Sequence, residues 1–161
     1  MKRTRPQPPV DAPAGTMWFG GPIGWFSVSL SVSADALIPA AVTKLLGVSP
    51  QHEQTRGVAL LRADGTAKRV PKFGSWVIEV TPKETDEWDV EEAAKELLKR
   101  LPDDPEVWRS LSLLGSVRLS IALQLQSANQ GFALEAEFCR SLAERNIGLD
   151  VHVYAGEGND F

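Results

Sequence analysis

The sequence predicts an α+β protein, in which a mixed or antiparallel sheet of about five strands carries helices packed on one face. Two patterns lead to this prediction. Some segments alternate apolar and polar residues, as half-buried strands do, and others repeat apolar residues every three or four positions, as amphipathic helices do. In chain order the segments read β-α-β-β-α-α-β-α-β. The 161 residues, 43% hydrophobic and 24% charged, suffice for one domain with a hydrophobic core.

The first half of the chain contains the first three predicted strands. Between 26 and 33, apolar residues alternate with four serines, which predicts a strand with one polar face. A short helix is expected at 38–46, where a proline suits the first turn and a glycine follows the last. The segment 58–61 is interpreted as a strand, with an Asp-Gly turn soon after it, and 75–80 as a stronger strand.

The second half is richer in helices. Asp89 and Glu92 have the spacing of a capping box, and apolar residues from 90 to 101 then recur at helical spacing. Another helix is expected at 104–114, after a proline that stops the first one. The remaining predicted elements are a strand at 117–125, a helix at 135–145 and a strand at 149–154.

The two ends differ in composition from the middle. Residues 1–15 are basic and rich in proline, which predicts a flexible tail, and 156–161 are expected to form a second tail. Residues 16–155 are then a single α+β domain. Within it, Phe26–Gly57 and Val117–Tyr154 both read as strand, helix and returning strand, so the domain contains a candidate internal βαβ pseudo-duplication.

Composition excludes several classes of protein. One cysteine cannot form an internal disulfide framework or a multi-cysteine metal site, and no apolar run approaches the roughly 18 residues of a membrane span. The basic start lacks the apolar stretch of a signal peptide, so a cytoplasmic location is expected. A pI near 5.2 makes nucleic acid an unlikely partner, although residues 56–72 are basic. No cofactor is indicated, and homo-oligomerisation stays open.

A search for catalytic motifs favours a protein that is not an enzyme. Cys139 lies at helical spacing among apolar residues, as buried structural cysteines do. His52 lacks the second histidine of a zinc-binding helix, and the glycines at 20–24 precede a strand, where a phosphate loop would follow one. Asp150 and His152 would share a strand face as an acid–base pair. An enzyme using this pair, or Arg56, is the weakest of the alternatives.

Aromatic residues are concentrated near the start of the domain. Trp18, Phe19 and Trp25 lie within eight positions, separated by glycines, and tryptophan frequently anchors protein interfaces. These three are therefore predicted partner-binding residues. The alternative is that the segment folds back over the core or lies along the edge of the sheet.

Acidic residues are concentrated in the middle of the chain. Residues 79–106 hold eleven acidic and four basic residues, a net charge of −7, so the rest carries +3 and the total is −4. A charge separated in this way speeds encounter with a basic partner. The alternative is a solvated helix face. The acidic residues predicted to bind a partner are Glu84, Asp86, Glu87, Glu91 and Glu92.

Several short segments, in this order, resemble a known family. After the serine-alternating strand come the turn at Leu45–Pro50, the pair Arg56-Gly57, the segment Lys72–Trp76 and the closing strand Leu149–Tyr154. Together they resemble the uncharacterised bacterial family catalogued as domain of unknown function 4279, over about 26–155. The resemblance implies no catalytic residues. Some small bacterial α+β domains of this kind serve as immunity proteins, which is an analogy of type only.

Two functions are therefore expected as alternatives. The first is a non-catalytic protein-binding domain, most plausibly an immunity-type inhibitor whose acidic and aromatic surface binds a basic toxin domain. The second is a small-molecule-binding sensor or regulatory domain. Its ligand would lie between the sheet and the helices, and the predicted ligand-binding residues are Arg56, Trp76, Trp108 and Tyr154.

Overall fold

The computed structural model describes residues 23, 25–82, 89–125 and 130–155. Seven strands and four helices lie within these residues. The strands are β1 (Trp25–Ala34), β2 (His52–Gln54), β3 (Leu60–Leu61), β4 (Ala67–Arg69), β5 (Gly74–Val80), β6 (Ser116–Leu125) and β7 (Gly148–Ala155). The helices are α1 (Pro39–Leu46), α2 (Val90–Leu98), α3 (Pro105–Leu114) and α4 (Ala136–Glu144).

Five strands form the main sheet, in the order β2-β5-β1-β6-β7. The first four pair antiparallel, and β7 is parallel to β6 because α4 carries the chain back across the sheet. The part from β1 to β6 has the split β-α-β-β-α-β connectivity, with β1 in the centre, to which α4 and β7 add an edge strand. The predicted α+β class, with a mixed sheet of five strands, is confirmed.

Alternation along the strands separates the two faces of the sheet. In β1, the side chains of Val28, Leu30 and Val32 are fully buried, whereas Ser29 and Ser31 between them are half-exposed. The alternation continues in β5 and β6. The buried side chains of these strands and of all four helices join in one core cluster. Helices therefore cover one face, as the serine pattern predicts, and the opposite face of these strands, called here the open face, stays polar.

The helix ends follow the sequence signals closely. Helix α1 has Pro39 in its first turn and ends at Gly47, whose φ of 71° is left-handed. The capping box of α2 is present, since the Asp89 carboxylate accepts from the Glu92 amide and the Glu92 carboxylate accepts from the Asp89 amide. Helix α4 is followed by Asn146, whose φ of 55° suits the predicted stop. These local stops set the lengths of the helices over the core.

The predicted strand at 58–61 is shorter than expected and lies outside the main sheet. Only Leu60 and Leu61 are extended, and they pair with β4 in a separate two-stranded hairpin. The edge of the main sheet is instead β2, a polar segment. Hydrogen bonds to β5 hold this segment at the edge of the sheet. The Gln51 amide donates to the Val77 carbonyl at 2.9 Å, and the Gln51 side chain hydrogen-bonds to both the amide and the carbonyl of Glu79. Apolar periodicity does not reveal such a strand.

The two predicted βαβ units are similar in direction and different in placement. Both β1-α1-β2 and β6-α4-β7 return the chain to a strand parallel to the first. However, β7 lies directly beside β6, whereas β5 lies between β1 and β2. The resemblance of the two units therefore stops at their connectivity.

Candidate functional site on the open face of the sheet

The open face is lined by small polar side chains with charged groups among them. Backbone register places Ser29 of β1 between Glu79 of β5 and Ser120 of β6, with Asp150 of β7 next in the same row. The next row contains Ser31 and Arg118. Serine hydroxyls both donate and accept, so this face offers an array of hydrogen-bonding side chains.

An ion pair joins two strands of this face. Arg118 of β6 donates to both carboxylate oxygens of Asp150 of β7, with 2.9 Å between Nε and Oδ2. The hydrogen bonds from the guanidinium lower the pKa of Asp150, and the same contact raises the pKa of Arg118. Such a two-pronged pair holds both side chains in a fixed orientation. It therefore provides a rigid charged feature on an otherwise small-residue surface.

Two exposed aromatic residues lie at one end of the open face. Trp25 of β1 and Tyr154 of β7 are both in register with Gln124 of β6, which lies between them. Two strand spacings separate their backbones by roughly 10 Å. Their exposed fractions are 43% and 57%. Trp25 was predicted as a partner-binding residue, and Tyr154 as a ligand-binding one; the fold brings them to the same row.

The predicted acid–base pair shares this face but is not poised for proton transfer. Asp150 and His152 project from the same side of β7, as alternation requires. The carboxylate of Asp150 is bound by Arg118, and its pKa is lowered. A carboxylate with a lowered pKa is a weaker base at neutral pH, so this arrangement suits a structural ion pair better than general base catalysis.

The acidic residues predicted to bind a partner have different surroundings. Glu91 is buried, only 6% exposed, where it accepts from the Glu135 amide and pairs with Lys95. Glu92 is exposed but its carboxylate caps α2. Glu84, Asp86 and Glu87 lie outside the described residues, as do Trp18 and Phe19. Glu91 therefore stabilises the junction of α2 with α4 and is not available to a partner.

Other acidic groups of the same region also have internal partners. Glu96 pairs with Lys99 and Glu106 with Arg109, each within one helix, and Asp104 caps α3 through the Glu106 amide at 2.9 Å. Asp103 pairs with Arg145 at 2.6 Å. These carboxylates form local ion pairs or cap a helix. The described helices of residues 79–106 therefore present paired, solvated charges and not one unopposed acidic surface.

The four residues of the predicted ligand site are not brought together. Trp76 and Trp108 are buried in the core, where their indoles donate to Thr43 Oγ1 at 3.0 Å and to the Pro102 carbonyl at 2.8 Å. Tyr154 lies on the open face, on the other side of the sheet. Arg56 is exposed and lies 3.7 Å from Asp35. Both tryptophan side chains are buried in the core, and the alternation along β7 places Tyr154 on the opposite side of the sheet.

A cleft of about 400 Å³ lies instead between α2 and α4. Its lining includes Leu98 and Phe138 together with the cationic side chains of Lys95, Lys99 and Arg145. The Arg145 guanidinium also lies 5.7 Å from the centre of the Trp108 ring. Asp103 and Glu137 also line the cleft. Each of the three cations already pairs with a carboxylate, Lys95 with Glu91, Lys99 with Glu96 and Arg145 with Asp103, so an anion would have to compete with these groups. The sequence analysis missed this cleft because its residues come from two helices far apart in the chain.

Residues 23, 25–82, 89–125 and 130–155 contain no group of three or more metal-ligating side chains close enough to hold an ion. In the same ranges, each helix is too short or too polar to cross a bilayer.

Comparison with known proteins identifies the family. The sequence pattern of the family described as Domain of unknown function (DUF4279) matches residues 25–156, most of the chain. The chain belongs to this family. Neither the comparison with curated proteins nor that with solved structures found a match. The resemblance that the short segments predicted is thus confirmed, and the DUF4279 match runs from β1 through β7.

Sequence reasoning missed Arg118 as a site residue, although a signal for it was present. Arg118 stands among the polar positions of a strand whose other face is fully apolar, and the serines of β1 have the same periodicity. Knowing that β6 pairs with β1 would have placed these polar rows side by side. Strand pairing is non-local, so the alternation alone could not reveal the shared face.

Proposed function

We propose that this DUF4279 protein is a non-catalytic protein-binding domain of the bacterial cytoplasm, which docks its partner on the open face of the sheet. The observation that carries the proposal is the pair of exposed aromatic side chains, Trp25 and Tyr154, in one row of a serine-lined face. Tryptophan, tyrosine and arginine are the residues that most often anchor protein interfaces. Serines beside rigid aromatic anchors are typical of adaptable binding surfaces.

The shape of the surface supports a macromolecular partner. Small molecules bind in concave pockets that bury most of their surface, whereas Ser29, Ser31 and Glu79 of the open face are half-exposed and only Ser27 among the serines of β1 is buried. The Arg118–Asp150 pair at its margin would confer directional charge recognition. A polar sheet surface with two exposed aromatic side chains is therefore better suited to another protein than to a metabolite.

The partner class that we favour is a basic toxin domain, which would make the protein an immunity-type inhibitor. Support comes from the net charge of −4 and from Glu79 on the open face, where Asp150 is already paired with Arg118. Opposite charges on two partners raise their rate of association. The pairing of the helical acids within their own layer moves the expected contact from that layer to the sheet.

The test is co-expression with a toxin domain encoded beside its gene. The unchanged protein should restore growth and copurify with the toxin. The double variant Trp25→Ala/Tyr154→Ala should bind at least about ten-fold more weakly, as loss of interface anchors does. Phe73→Ala is the matched control. Phe73 is 44% exposed, and it directly precedes β5, at the end of the sheet far from Trp25. Equal binding by the double variant, or no restored growth, would contradict the proposal.

A second candidate function is binding of a small anionic ligand in the cleft between α2 and α4, in a sensor or regulatory domain. Its support is the cleft of about 400 Å³, whose lining holds three cationic and two acidic side chains. An anion bound there would compete with Glu91, Glu96 and Asp103 for the cations. Short-chain carboxylates and inorganic phosphate are suitable probes in a thermal unfolding assay. A rise in the unfolding temperature that Lys99→Gln abolishes would favour this function, and no shift with any probe would reject it.

A further inference from the structure

Strand β7 is the outer strand of the main sheet and is unusually accessible. It is eight residues long and pairs with β6 on one side, at the end of the strand order. Leu149, Val151 and Val153, which share the helix-covered side of the sheet, are all exposed. Edges of this kind are normally protected by lysine, proline or a bulge, and β7 contains neither of those residues. Among the described residues no strand pairs with the outer side of β7, so its outward backbone groups are available for pairing with another strand.

The sequence of β7 is complementary to itself. If two copies pair antiparallel with Val151 opposite Val151, then Leu149 lies opposite Val153 of the other copy, so apolar side chains meet on one side. On the other side, Asp150 lies opposite His152, and each copy supplies both members of the pair. A shift of register by one residue would place the apolar side chains opposite the polar ones. Two-fold registers centred on residue 150 or 152 would place Asp150 or His152 opposite itself and would lose the Asp150–His152 pairing. The pattern therefore favours one register about a two-fold axis.

The end residues of β7 are also complementary. In the same register Tyr154 lies opposite Gly148, where the Arg118 side chain covers the backbone: a Cβ on Gly148 would be 2.9 Å from Arg118 Cζ. The incoming tyrosine ring would therefore meet a guanidinium that its ion pair with Asp150 already holds in place. Stacking of aromatic rings on arginine is favourable, and a large ring beside a strand glycine compensates for the missing side chain.

We propose that the free edge of β7 binds a second copy of this chain, forming a two-fold symmetric dimer in which the two five-stranded sheets become one continuous sheet. The occupant is a second copy because the apolar, charged and aromatic positions of β7 complement those of β7 itself. The open faces of both copies would then lie on the same side of the joined sheet. This inference does not depend on the proposed function.

The first test measures self-association by sedimentation velocity over a range of concentrations. A single-strand interface is small, so a dissociation constant on the order of micromolar is expected. Val153→Lys, which brings the charge that protects natural edges, should raise that constant at least about ten-fold. The matched control is Val70→Lys, since Val70 is 57% exposed and Val153 is 56%. An unchanged protein that stays monomeric up to about 1 mM would overturn the proposal.

The second test reads the register directly. In a Cys139→Ser background, which removes the exposed native thiol, Val151→Cys should form a disulfide-linked dimer under mild oxidation, because residue 151 faces its own copy. Val153→Cys should cross-link poorly alone and efficiently when mixed with Leu149→Cys. Circular dichroism of each variant verifies that it is folded. A folded Val151→Cys variant that fails to cross-link, or cross-links no faster than Val153→Cys, would refute this register.

Discussion

At the scale of single residues, Glu91 differs most from its sequence interpretation. It stands in an acidic run at the start of α2, yet it is the only buried charged side chain among the described residues. Burial by itself would raise its pKa, but the hydrogen bond from Lys95 and that from the Glu135 amide outweigh burial, and the pKa of Glu91 is lowered. The carboxylate is thus held ionised, and it ties α2 to the start of α4.

Replacing Glu91 by glutamine should therefore destabilise the protein in a pH-dependent way. At pH 7 we expect Glu91→Gln to lower the free energy of unfolding by about 1–3 kcal/mol, because a charge-assisted bond is lost. Since the folded pKa lies below the ordinary value of 4.5, this stabilisation is complete above 4.5 and disappears as pH falls through the folded pKa. Urea unfolding at pH 7 and about pH 3 measures the difference. Glu144→Gln, at an exposed position of α4, is the control and should cause no such loss.

At the scale of elements, the approach of the loop before α1 to the start of β5 depends on Gly74. A Cβ on Gly74 would overlap the Leu37 carbonyl oxygen and lie 2.9 Å from its carbon, so backbone and not a flexible side chain would have to move. Gly74→Ala should lower the unfolding free energy by about 1–3 kcal/mol or more. Gly131→Ala is the matched control, because a Cβ there meets nothing within 4 Å. Thermal unfolding of both variants is the measurement, and equal midpoints would contradict this packing.

The elements that could be predicted are those whose signals are local. Helix α2 has a capping box and an apolar face within one stretch of chain, and both are present in the structure. Strand β2 and the cleft between α2 and α4 could not be predicted, because a three-residue polar strand exists only through its pairing with β5, and the cleft joins two distant helices. The open face could be predicted only in part. The serine alternation of β1 indicates one polar side, but it does not indicate which other strands contribute to that side.

At the scale of the whole molecule, the division between the two faces of the sheet matters more than the division of charge along the sequence. The acidic side chains of residues 89–106 are paired or used as caps, so the net charge of −7 over residues 79–106 does not translate into a free acidic surface on these helices. The buried apolar side chains of the four helices lie in the core. The open face and the edge of β7 present exposed groups that folding has left available for partners.

This division predicts that adjacent residues of the central strand respond very differently to the same substitution. Leu30→Ala should lower the unfolding free energy by about 2–5 kcal/mol, because Leu30 is fully buried against the helices and its loss leaves a cavity. Ser29→Ala, one position away on the open face, should change it by less than about 0.5 kcal/mol. Denaturant unfolding of both variants makes the comparison. A similar loss at Ser29 would mean that the open face is packed like a core. If Ser29→Ala is neutral, serine substitutions can be used to examine partner binding without disturbing the fold.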